Sequence, residues 1–279
     1  MTTGNLTYVY AVTHHPGPLN QALAGLHGIG QAPLRLLPPT GDTTDSAPGT
    51  SLAQLAFVAS DVPEQDFNET ALKSHFEDLD WLEYVARTHH EVVQAVAARA
   101  TVLPLRMATV YQDDHRARQA LSTQQAVFTQ RLDQLRAHTE YGVKVYLTPA
   151  AGQPPSAAPA PPASPGKAYL QARRAQRHSR DAVYRQAEQA AEIIEAIASR
   201  HTTQRVRHAP QRGELTGPQE NVLNDAYLIP DDQAEQFQAA IADAARSFPD
   251  LRIEVTGPWA PYSFATPAPA PADTPEPPR

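Results

Sequence analysis

The side chains of this chain that could carry chemistry are eleven histidines, several paired carboxylates and a run of arginines, and their spacing decides what each could do. His14-His15 and His89-His90 are adjacent pairs. Neighbours on a helix or strand point in different directions, so neither pair chelates a metal by itself. His201 and His208 lack a helical HxxxH spacing, and the sequence has no HExxH or EF-hand pattern. No metal site is expected. His89 falls with Val85 and Val93 on the apolar side of a helical pattern, the setting of a hydrogen-bonded core histidine. There is no GxSxG and no P-loop, and Gly25, Gly28 and Gly30 have neither the GxGxxG spacing nor the helix that should follow it. Asp113-Asp114 and Asp231-Asp232 stand where helices should start, so capping accounts for them. Without cysteine there is no thiolate nucleophile, thiolate metal site or disulfide. The expectation is a protein that is not an enzyme and needs no cofactor.

Residues suited to binding are easier to find. Arg173, Arg174 and Arg177, with Arg180 one turn on, make a basic helical face, and Arg205, Arg207 and Arg212 follow. An RNA-binding sheet would add stacking aromatics, but the strands concerned offer Val206, Leu223 and Tyr227. The bland reading is a solvated face and the sharper one a contact for an acidic partner. Arg106 interrupts the apolar run VLPLRMATV, Val102 to Val110. In a core strand it should be paired with a carboxylate; otherwise it fixes the junction between domains or meets a partner's acid. The segment GPWAPYSF, Gly257 to Phe264, sets Trp259, Tyr262 and Phe264 between prolines that should end a strand and hold the chain extended. Either the segment folds back as a strap over its own sheet, each ring contributing about 1.5–3 kcal/mol by burial, or the rings meet another molecule. Burial is the expectation for Trp259; Tyr262 and Phe264 are left open.

These residues need elements to position them. Leu6 to Val12, Leu34 to Leu37 and Leu52 to Ala59 read as strands, Trp81 to Ala100 as an amphipathic helix, Leu103 to Tyr111 as a strand and Asp113 to His138 as a helix. They form an N-terminal α+β domain, 1–138. The pattern then becomes sharper: a strand at Tyr141 to Leu147, a helix at Ala168 to Ser199, strands at Gln204 to His208 and Val222 to Ile229, a helix from Pro230 to Phe248, and a strand at Leu251 to Val255. The order β-α-β-β-α-β is that of the ferredoxin-like, split βαβ fold, expected over 139–264. Of 27 prolines, seven fall in 149–166 and six in 265–279, which reads as a Pro/Ala-rich insertion in the first crossover and a disordered tail. A stretch rich in Gly, Thr, Pro and Asp over 38–49 reads as a surface loop.

Composition narrows the partners. Thirty acidic against 23 basic residues give a net charge of −7, which argues against a broad nucleic-acid or anionic-membrane surface. The first residues, MTTGNLTYVY, have neither the basic nor the apolar region of a signal peptide, and no run is long enough to span a membrane, so a cytoplasmic location is expected.

Taken in order, YVYAV (8–12), VLPLRMATV (102–110), EYGVKVYL (140–147), GKAYLQARR (166–174), NVLNDAYLIP (221–230) and VTGPWAPYSF (255–264) resemble the gas vesicle protein GvpL/GvpF family over nearly the whole chain. Two departures stand out: the family pattern has Phe-Gly where Met107-Ala108 stand, and an acidic-aromatic pair close to Glu140-Tyr141. The resemblance implies an accessory protein of gas vesicle assembly with a ferredoxin-like C-terminal domain. It also implies contact with the small apolar shell protein GvpA or sister accessory proteins, in the cytoplasm and associated with the vesicle. Candidate contact residues are Arg106, Arg173, Arg174, Arg177, Trp259, Tyr262 and Phe264. The competing reading is a small-molecule-binding protein or enzyme that uses the ferredoxin-like sheet as a pocket floor.

Overall fold

Continuous apolar runs in the first half and a strict helical period in the second determine how the chain layers. The computed structural model describes residues 4–14, 17–40, 55–148, 165–202, 204–210 and 219–265. The Pro/Ala-rich stretches expected at 149–166 and 265–279, except for 165–166 and 265, and most of the 38–49 loop lie outside them. In chain order the elements are β1 (Asn5–His14), α1 (Gly17–Leu23), β2 (Arg35–Leu37), β3 (Leu55–Pro63), α2 (Glu64–Phe67), α3 (Glu69–His75), α4 (Leu79–Ala97), β4 (Val102–Pro104), β5 (Val110–Tyr111), α5 (Asp114–Thr123) and α6 (Gln125–Leu135). There follow β6 (His138–Leu147), α7 (Pro165–Ala198), β7 (Arg205–Arg207), β8 (Glu220–Pro230), α8 (Ala234–Ala245), β9 (Leu251–Trp259) and α9 (Tyr262–Ala265). They group into two compact units, Met1–Ala137 with Trp259–Arg279, and His138–Pro258.

In the first unit the strands lie in the order β2-β3-β1-β4, with β5 also paired to β1. Both faces of this sheet are covered, which is why β1 and β3 read as unbroken apolar runs. Tyr8, Tyr10 and Val58 pack toward Val85, Val92, Val93 and Val96 of α4. Phe57 faces the other way, stacked on Tyr111 with centroids 6.0 Å apart and edge-on to Phe128 of α6. The register of β1 on β3 shifts between Val9 and Ala11, so Tyr10 is the extra residue of a bulge.

Two expectations for this unit need correction. Leu103 to Tyr111 is two short strands, β4 and β5. Leu105 N–H donates to the Tyr10 carbonyl and Val9 N–H to the Thr109 carbonyl, so the residues between loop out as a turn opposite the bulge. The helix over Asp113 to His138 is also two, separated at Gln124. Ser122 and Thr123 hydroxyls bond back to the carbonyls of Arg118 and Gln119, which weakens the helical ladder where it breaks. Asp113 does cap α5, its carboxylate accepting from Arg116 N–H at 2.7 Å. Asp114 does more than begin the helix. It holds Arg35 at 2.6 Å and accepts from Thr7 Oγ1 at 2.8 Å, tying α5 to β2 and β1. Burial opposes ionisation there, but the bonds from Arg35 and Thr7 keep the carboxyl below its usual range.

In the second unit the strand order is β7-β8-β6-β9, with β8 antiparallel to both β6 and β7. Tyr141, Val143 and Val145 of β6 and Leu223 and Tyr227 of β8 form a core with Ala190, Ile194 and Ile197 of α7 and Phe237 and Ile241 of α8. Asp225, 1% exposed, lies among them. Arg205 bridges it to Glu195 at 3.0 and 2.7 Å, and Arg207 reaches it at 3.3 Å.

The GPWAPYSF segment differs from expectation in both form and placement. β9 continues through Pro258 to Trp259, which a strand at the sheet's edge tolerates. Pro261 then leads into the short helix α9, where a missing N–H is harmless. Residues 259–265 belong to the first unit instead of lying over the second sheet, so the range 139–264 is divided at 258/259.

Candidate functional site

α4 carries His89 in the middle of its apolar face and His90 next to it, beside the residues of the Arg106–Thr109 turn and α9. His89 is 3% exposed. Its Nδ1 lies 2.9 Å from Tyr8 Oη, and that same oxygen accepts the Ala108 N–H at 3.0 Å. Burial lowers the His89 pKa to about 4, against an upward pull from the Leu105 carbonyl and with a further push down from His90. The ring is therefore neutral at physiological pH. The core role expected for His89 is what the structure shows, and Tyr8 is the partner that the sequence did not reveal.

α9 closes over these histidines. Tyr262 stacks on His90 with centroids 5.9 Å apart and lies 6.3 Å from His89, and burial pushes its hydroxyl far up from the ordinary tyrosine range. Ala260 N–H is bonded to Gln94 Oε1 at 2.5 Å, and Phe264 is 9% exposed. Trp259 is 40% exposed, its ring near His90, so the burial expected for it is corrected. Its position on the last residue of an edge strand leaves one side of the ring uncovered.

Arg106 is exposed in the turn and has no carboxylate partner among the described residues; the ion pair expected for it in a core strand is absent because the strand stops at Pro104. Its carbonyl instead closes the turn, accepting from Thr109 N–H and Oγ1. The turn, α4 and α9 enclose a cleft of about 420 Å³. Ala86, Pro104, Leu105 and Met107 form much of its wall, His89 and Tyr262 face it, and Arg106 lies at its edge. His89 Nε2 and Tyr262 Oη are buried without a hydrogen-bond partner among the described residues. This cleft, with its histidines, tyrosine and arginine, is in the first unit.

The arginine run divides by partner. Arg180 bonds to Tyr184 and approaches Glu220, and Arg205 and Arg207 are held by Glu195 and Asp225. Arg212 lies outside the described residues. Arg173, Arg174 and Arg177 are exposed on the first half of α7 with no acidic partner among the described residues, beside exposed Tyr169 and Leu170. At three- and four-residue spacing, Tyr169, Arg173, Arg177, Arg180 and Tyr184 make one stripe along the helix.

The model of the family described as gas vesicle synthesis protein GvpL/GvpF matches residues 6–266. The chain belongs to the GvpL/GvpF family. It is 40% identical over 269 residues to gas vesicle protein L of Streptomyces sp. (strain CB03234), covering 95% of this chain and 94% of that one. It is 28% identical to gas vesicle protein F of the same strain, covering 92% and 98%. The crystal structure of GvpF from Anabaena sp. PCC7120 has the same fold, with a TM-score of 0.62 at 17% identity and coverage of 95% and 98%. Among the described residues no helix is long and apolar enough to cross a membrane.

Met107 lies on the wall of the cleft. Ala108 has φ +62°, in the region that favours glycine, and its N–H still reaches Tyr8. Arg106 and Tyr262 are brought together with His89 at this cleft, whereas Arg173, Arg174 and Arg177 belong to the other unit. Tyr8 could have been found only through the period-2 pairing of Tyr8 and Tyr10, which puts two hydroxyls on one sheet face.

Proposed function

We propose that this GvpL/GvpF protein is a non-catalytic assembly factor that binds the major shell protein GvpA or a sister accessory protein, in the cytoplasm and in association with the gas vesicle. It would do so with two domains that meet near residue 138. The first is completed by the Trp259–Ala265 strap and the second has a ferredoxin-like, split βαβ fold. The element order and the strand order β7-β8-β6-β9 support that description of the second domain. Membership of the family supports the vesicle role.

The observation that carries a binding role is the exposed first half of α7: Arg173, Arg174 and Arg177 have no acidic partner among the described residues and stand beside Tyr169 and Leu170. Aromatic and arginine side chains are the residues that most often anchor interfaces. A shell subunit that exposes apolar surface before it polymerises needs such a partner more than it needs a reactive centre. Trp259 adds an exposed ring on the first unit, and Arg106 a cation. Tyr262 and Phe264 are mostly buried and act by holding the strap.

Capture of GvpA and of individual accessory vesicle proteins by the purified full chain tests the reading. The wild-type chain should retain one of them. Replacing Arg173, Arg174 and Arg177 together with glutamate should weaken retention at least tenfold without unfolding the protein, and Trp259→Ala should weaken it less. A wild-type chain that retains none of them, or a triple variant that retains them equally well, sinks the proposal.

A further inference from the structure

We propose that the cleft formed by α4, the Arg106–Thr109 turn and α9 is a binding site for a carboxylate carried on an apolar stem. Hydrogen-bond donors that converge there carry the inference. Tyr8 Oη accepts the Ala108 N–H, and we assign its own proton to His89 Nδ1, the one acceptor it meets among the described residues. With Nδ1 engaged as an acceptor, the proton of the neutral imidazole sits on Nε2. That nitrogen is buried and closes no hydrogen bond among the described residues, although the nearby Leu105 carbonyl pulls the ring's pKa upward. The Tyr262 hydroxyl is buried with no partner as well. Buried polar groups are almost always paired, and here two donors share one cleft wall with their rings 6.3 Å apart. Two acceptor oxygens on one carbon fit such a pair of donors.

Arg106 decides the charge of that acceptor. It stands at the edge of the cleft without a carboxylate among the described residues, so an anionic oxygen pair is favoured over a neutral carbonyl. Ala86, Leu105 and Met107 supply apolar wall for the rest of the ligand, and a volume of about 420 Å³ suits a short aliphatic or single-ring stem. Burial keeps both donors in the right protonation state: His89 stays neutral down to about pH 4, and Tyr262 keeps its proton. The carboxylate can come from a free acid or from the C-terminus of a peptide. The site lies in the other unit from the α7 stripe and does not rest on the shell-protein reading.

Titration of the full chain with phenylacetate and hexanoate, followed by ligand-observed NMR, tests the site, with phenylacetamide and hexanamide as neutral controls. A short peptide ending in a phenylalanine carboxylate, and its C-terminal amide, form the second arm. At least one acid should bind saturably and at least tenfold more tightly than its amide, and the arm in which this happens identifies the source. Arg106→Gln and Tyr262→Phe, which remove a surface charge and a single hydroxyl, should each weaken the acid at least tenfold while leaving the melting temperature within a degree or two. Absence of saturable binding in both arms, equal binding of acid and amide, or unchanged affinity in both variants overturns the proposal.

Discussion

Tyr8 and His89, 81 residues apart in sequence, are joined hydroxyl to imidazole at 2.9 Å across the interface of β1 and α4. Burial keeps this histidine neutral inside an aromatic cluster, with Tyr10 at 5.5 Å and Tyr262 at 6.3 Å between ring centroids. A pH dependence follows, because the folded pKa of about 4 lies below the ordinary value of 6.5. Between the two, the unfolded chain binds a proton that the folded chain does not, so stability is fully present above about pH 6.5 and falls as pH drops toward 4. The most this histidine can remove is roughly 3 kcal/mol. In His89→Gln, urea denaturation should show lower stability than wild type at pH 7.5, and the gap should narrow by about 1.4 kcal/mol per pH unit below 6.5. A gap independent of pH would mean that the ring takes up its proton in the folded chain at the same pH as in the unfolded one.

Ala108 gives a prediction of opposite sign. Its φ of +62° disfavours any side chain, and the turn Arg106–Thr109 has it where glycine is the usual residue. Ala108→Gly should relieve about 1 kcal/mol of backbone strain, partly offset by the greater freedom of glycine in the unfolded chain. The net change expected is stabilisation of up to about 1 kcal/mol, read as a higher urea midpoint at unchanged slope. A lower midpoint would show that the alanine methyl contributes packing that outweighs the strain.

What was legible in the sequence depended on whether local pattern or distant partners decide the structure. α4 and α7 showed through because Val85, Val92 and Val96, and Ala190, Ile194 and Ile197, repeat at helical spacing. The β-α-β-β-α-β order was readable because the β-branched and aromatic runs YGVKVYL, VLNDAYLI and LRIEV stand between segments of clear helical period. The Arg106–Thr109 turn was hidden because LPLRMATV is apolar at both ends and its interruption answers a bulge at Tyr10, about a hundred residues earlier. The place of the GPWAPYSF rings was hidden for the same reason. Prolines dictate where the backbone bends but say nothing about which helix the rings will meet.

Arg205 holds the second unit's buried charge. Asp225 is 1% exposed, and burial raises its pKa despite the pull of Arg205 and the Tyr227 hydroxyl. Removing the arginine in Arg205→Met leaves a buried carboxylate with the longer contacts to Arg207 and to the Tyr227 hydroxyl, each at 3.3 Å. Breaking a buried pair costs about 3–5 kcal/mol, and one strand from the sheet edge, where water is close, roughly 2–3 kcal/mol is expected. Because the folded pKa lies above the unfolded one, the loss should be greatest at neutral pH and shrink as Asp225 takes up its proton on acidification. Thermal unfolding of the variant and wild type at pH 7.5 and pH 4.5 measures both. An equal loss at the two pH values would place the role of Arg205 in packing instead of charge.

The strap separates its aromatics into one that holds the fold and one that faces out. Phe264 is 9% exposed and Trp259 40%, although both follow a proline-broken strand end within six residues. Truncating a buried phenylalanine removes its transfer free energy and leaves a cavity, so Phe264→Ala should cost about 3 kcal/mol or more. Trp259→Ala keeps the Ala260 N–H bond to Gln94 and loses only contact with His90, so its cost should stay below about 1 kcal/mol. Urea midpoints of the two single variants and the double variant decide the matter. Equal losses from both residues would show that the tryptophan, too, is a structural anchor, and would remove it from any surface available to a partner.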